Sequence, residues 1–93
     1  MEKVKAISDE ILEERLRQRA ELGYLPEVDA CWKHDELARA AAFYATPDRL
    51  RDIKDWPFDI HCCKPGDRRR ELIKAAALIM AEIERMDFVK EEI

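Results

Sequence analysis

The chain has 93 residues, 47% hydrophobic and 41% charged, with a formal net charge of −4. A chain this short buries only about 60–65% of its unfolded surface, so one domain with a thin core is expected. The acidic balance argues against a general polyanion-binding surface such as one for duplex nucleic acid, and no apolar run reaches the ~18 residues that span a bilayer. The opening MEKVKAISDEILEER lacks the apolar core of a secretory signal. A cytoplasmic protein is therefore expected, with its three Cys as free thiols or metal ligands before disulfides.

In chain order, SDEILEERLRQRAEL (8–22) reads as an amphipathic helix. Ile11, Leu12, Leu16 and Leu22 form its apolar stripe, Ser8 or Asp9 caps its start, and Gly23 suits its end. Residues 23–34 lack a period and read as a loop around Trp32. DELARAAAFYA (35–45) reads as a second helix whose alanines allow close approach, and Thr46–Pro47 stops it. PDRLRDI then adds a short helical turn with Pro47 at a tolerated first position.

Pro57, Pro65 and Gly66 break the next connection. Asp67 caps a long last helix from Arg68 to about Asp87. Leu72, Ala75, Ala76, Ile79, Met80 and Ile83 make its apolar face, which is too wide for a lone surface helix. That face is expected to pack on two neighbours, one of them in another subunit. The pattern does not decide whether FVKEEI continues this helix. Three main helices, a short one and no strand candidate predict an all-α bundle over 1–93 that forms a homo-oligomer through its long C-terminal helix.

The order EERLRQRAELGY, HDELARAAAFYA, WPFD, KPGDRRREL and AEIERMD resembles a family of small, mostly phage-encoded proteins of unassigned function, over about Glu13 to Asp87. On helix order and two short motifs it is more distantly similar to the MazG-like all-α nucleoside triphosphate pyrophosphohydrolases. Those enzymes hold Mg²⁺ with E-E-x-x-E and E-x-x-D motifs, since carboxylates three or four apart share a helical face. At the matching positions this chain keeps Asp35, Glu36 and Glu71 but has Arg39 and Lys74 in place of two acids. The resemblance so modified implies phosphate recognition without hydrolysis, because cations can contact phosphate where a metal ion would bridge. A phage protein of that kind would sequester a linear or cyclic nucleotide signal used in host defence, in the host cytoplasm.

The local chemistry offers competing readings. GDRRREL sets three Arg on the first turn of a helix, the end that disfavours cations by ~0.3–1 kcal/mol each when exposed. A bound anion would relieve this, and so would acids from elsewhere in the fold. Cys31-x-x-His34 and His61-Cys62-Cys63 hold every Cys and His. Neighbours in sequence fit poorly around one zinc ion, so the thiols read as buried filler and no metal is expected. A catalytic thiol with His61 as its base is a weaker reading still. Trp32, Tyr44, Trp56 and Phe58 either stack on a base or plug an alanine-rich bundle. Asp35 either caps the second helix or joins Glu36 as a metal ligand.

The expected ligand set is Trp32, Lys33, His34, Glu36, Arg39, Tyr44, Trp56, Lys64, Arg68, Arg69 and Lys74, for a nucleotide or other phosphorylated small molecule with no cofactor. The enzyme alternative is a Mg²⁺-dependent pyrophosphohydrolase using Asp35, Glu36, Glu71 and Glu82. A third reading is a protein that inhibits a host factor by surface contact.

Overall fold

A computed structural model describes residues 1–21, 35–58 and 66–92. Among them there are three α-helices and no strand: α1 (Glu2–Glu21), α2 (Glu36–Ala45) and α3 (Arg68–Glu92), with single 3₁₀ turns at Asp48–Leu50 and Ile53–Asp55. The all-α expectation therefore holds. Leu22, Gly23 and the loop around Trp32 lie outside the described residues.

The last helix starts where its sequence says it should. The Arg70 amide donates to Asp67 Oδ1 at 2.9 Å, satisfying one of the donors that a helix start leaves free. Asp67→Ala should cost about 1 kcal/mol, read as a Tm fall of roughly 4–8 °C in a domain of this size. The helix runs on through Glu92, past the expected end near Asp87. Nothing in the tail breaks it, since FVKEE contains neither Gly nor Pro.

The second helix starts differently from expectation. Asp35 has φ 61° and ψ 32°, a left-handed backbone, and its side chain makes no capping bond. At the other end Thr46 closes the helix, its hydroxyl and amide both donating to Ala42 O.

The main core lies between α2 and α3. Leu37, Ala40, Ala41 and Tyr44 meet Ala75, Leu78 and Ala81, with Ala40 and Ala81 both fully buried. Side chains that small let two helix backbones approach closely, as the alanine content predicts. Phe43, Tyr44, Trp56 and Phe58 close one end as a chain of edge-on rings, centroids 5.2–6.0 Å apart. The 3₁₀ turn at Asp48–Leu50 is the short helical turn expected after Pro47, and the second turn carries Trp56 back onto α2.

The first helix departs most from its reading. It begins at Glu2 rather than Ser8. Its buried side chains are Glu14, Arg15 and Gln18, whereas Leu12 and Leu16 are about half exposed. Ion pairs tie α1 to α3: Arg69 pairs with Glu10, Arg70 with Glu14, and Arg15 with Glu84. The face expected on α3 is likewise divided. Ala75 is buried, but Leu72, Ile79 and Ile83 remain 45–53% exposed, and Ile73, Ala77 and Leu78 are buried in their place.

Candidate functional site

The three arginines at the start of α3 do three different jobs. Arg68 reaches the carbonyls of Tyr44 (3.1 Å) and Ala45 (2.5 Å), the open C-terminal end of α2, where a cation is favoured. Arg69 makes a two-pronged pair with Glu10 at 2.6 and 2.8 Å, which raises the pKa of Arg69 and lowers that of Glu10. Arg70 bonds Glu14, which also accepts from Arg17 Nε and Nη2 and from Gln18. Burial pushes the Glu14 carboxyl up, but Arg17 and Arg70 outweigh it and hold it below the usual range. The misplaced charges on the first turn are thus compensated by other parts of the fold.

Next to them stands a pair that the sequence does not announce. Arg51 Nη2 and Nη1 donate to Glu71 Oε1 and Oε2 at 2.6 and 3.0 Å, with both side chains about 95% buried. Arg51 Nε donates to Thr46 O at 2.8 Å, and its guanidinium lies 5.1 Å from the Phe43 ring centre. The Gly66 amide adds a longer bond to Glu71 Oε2 at 3.4 Å. Arg51 holds the Glu71 carboxyl well below its ordinary value. The partner of Glu71 is twenty residues upstream, a distance no helical spacing can reveal.

Lys74 instead sits 5.6 Å over the Tyr44 ring, and burial lowers its pKa against the pull of Glu14 and Glu71. Arg39 is exposed and lines a groove of about 330 Å³ with Phe43, Leu50, Arg51, Asp52 and Asp55. Tyr44 and Trp56 are 4% and 8% exposed and pack on each other, so their rings close the bundle end rather than face solvent. Trp32, Lys33, His34 and Lys64 lie outside the described residues, as do Cys31, His61, Cys62 and Cys63.

The acids of the enzyme reading divide into two places. Asp35, Glu36 and Glu82 gather about Arg85, which bonds Glu82 and whose pKa that bond raises. Glu71 is eleven positions from Glu82 on α3, roughly 16 Å along the axis. Among the described residues no three His, Cys, Asp or Glu are placed to hold a metal ion.

A second cavity, about 650 Å³, opens where the start of α3 meets the first 3₁₀ turn. Arg49, Arg68 and Gly66 line it together with Pro47, Asp48 and Glu71. Its volume is in the range of small-molecule sites, about 300–1,000 Å³. The buried Glu71 carboxylate in its wall is matched by Arg51, so a ligand would meet Arg49 and Arg68 together with the one exposed acid, Asp48. Arg49 is exposed, and nothing in the spacing of PDRLRDI marks it as a site residue.

Compared with known proteins, the chain matches no family model, no curated protein and no solved structure at a significant level. No helix among the described residues is long and apolar enough to cross a membrane.

Proposed function

We propose that this protein binds a nucleotide or similar phosphorylated small molecule in the cavity at the start of α3 and does not hydrolyse it. The supporting observation is the Arg49–Arg68–Gly66 wall at a helix N-terminus, with the nearby acid already held by Arg51. Guanidinium groups bind phosphate through paired N–H donors, and a helix start adds backbone N–H groups and the positive end of its dipole. Among the described residues Glu71 stands apart from Glu36 and Glu82, so these acids supply no converging set for metal-assisted phosphate chemistry. Capture without cleavage suits a sequestering role of phage type, in which a linear or cyclic nucleotide signal of host defence is kept from its receptor.

Titration calorimetry on the full chain tests this with inorganic triphosphate, ATP and a cyclic dinucleotide as probes. At least one should bind, and Arg49→Ala should weaken it ten-fold or more, about 1.4 kcal/mol. ³¹P spectra after incubation with Mg²⁺ should show the ligand intact. No heat with any probe removes the proposal. Mg²⁺-dependent pyrophosphate release that Glu36→Ala abolishes would establish the pyrophosphohydrolase reading instead.

A further inference from the structure

The long C-terminal helix carries a second apolar stripe that its own bundle does not use. Leu72, Ala76, Ile79, Ile83 and Met86 follow one another in steps of four, three, four and three. That is the 3.5-residue period of a coiled-coil seam, sustained over two heptads. Its four large members are exposed: Leu72 45%, Ile79 51%, Ile83 53% and Met86 56%. The core-facing residues of the same helix, Ala75, Leu78 and Ala81, lie on another side.

Beside the stripe runs a groove of about 330 Å³. Its floor is the row Ala38, Ala41, Ala42 and Ala45 of α2, and Ile79 and Ile83 of the stripe form its far wall. Glu82 is its one charged lining residue among those described, and Arg85 pairs with it. Ridge and groove therefore lie side by side on one face.

We infer that this face joins two copies of the chain about a two-fold axis, with the Ile79–Ile83 ridge of each copy seated in the alanine groove of the other. A ridge next to its own complementary groove is what an isologous contact requires, because the same patch must serve both partners. The size agrees. The four large side chains, 45–56% exposed, and the exposed alanines leave roughly 500 Å² of apolar surface per copy, so two copies together reach the ~1,000 Å² that a specific interface needs. The inference is independent of the phosphate cavity, which shares no lining residue with this groove.

Sedimentation of the full chain, measured from 1 to 100 μM under reducing conditions, should show a dimer or an even-numbered assembly of dimers. Ile79→Lys and Ala42→Glu should each give a monomer with unchanged helical circular dichroism, since both side chains are exposed within one copy. Leu50→Glu, 65% exposed and not among the residues that line this groove, should leave the assembly intact. Mixing the Ile79→Lys and Ala42→Glu proteins should restore a heterodimer, because one of its two ridge contacts becomes an ion pair and the other is native. A wild-type monomer at 100 μM would mean that the face serves another partner, and overturns the inference. Single variants that stay dimeric overturn it too, and so does a mixture that fails to recover.

Discussion

Replacing Arg51 with Met is expected to lower stability by about 3 kcal/mol at pH 7, because it strands the Glu71 carboxylate in a buried position without its cation. That is a large share of the ~5–15 kcal/mol available to a small domain. The loss should depend on pH with a definite sign. In the native protein Arg51 holds Glu71 below its ordinary value of 4.5, so the unfolded chain takes up the proton first as the solution is acidified. The contribution is complete above about pH 5 and fades as pH falls through the lowered native value. In the variant, burial without Arg51 favours the neutral acid, so protonation relieves the penalty. Urea unfolding at pH 7 and pH 4, at one fixed protein concentration, should show the gap between the two proteins closing in acid. An equal gap at both pH values, or a loss below 1 kcal/mol at pH 7, would mean that the pair is solvated and carries little of the fold.

Leu78→Ala is expected to cost a comparable amount, about 3 kcal/mol, through a different mechanism. Leu78 is 2% exposed in the main cluster of α2 and α3, among alanines that cannot extend to fill the space it leaves. Lost transfer energy and a residual cavity then add, as in other buried Leu truncations of about 2–5 kcal/mol. The penalty should not vary between pH 4 and 7, and the urea m-value should be unchanged. The two variants together separate the electrostatic and apolar parts of the structure by their pH behaviour alone. A Leu78→Ala loss under 1 kcal/mol would show that the helices close over the gap.

How far the sequence could be read depended on how local each determinant was. Asp67 caps α3 because the bond spans three residues, and GD before a helical run is visible as such. The alanines of α2 face α3 for an equally local reason, the 3.6-residue period. α1 defeated the same logic. Periodicity assigns Leu12 and Leu16 inward, but the inward side carries Glu14, Arg15 and Gln18, and Glu14 and Arg15 find partners at residues 70 and 84. The spacing of Glu14, Arg17 and Gln18 was legible as a helical trio, yet not its burial. The candidate site was the least legible part. Arg51 finds Glu71 across twenty residues and one 3₁₀ turn, and Arg49 reaches its cavity because its own turn meets the start of α3. The expectation that Arg39 and Lys74 mark the site rested on sequence position, and the structure places one in an open groove and the other on Tyr44.

The charged inner side of α1 also bears on how this helix could change over time. An oily contact tolerates sliding, since one aliphatic group does nearly as well as another against the same neighbour. Glu14 and Arg15 are buried and meet Arg70 and Glu84 at fixed heights on α3, so a slip of one turn would part both pairs. Alignment, rather than adhesion, is what those residues supply, and drift in α1 should be confined to paired exchanges that keep each opposite-charge match at its own level.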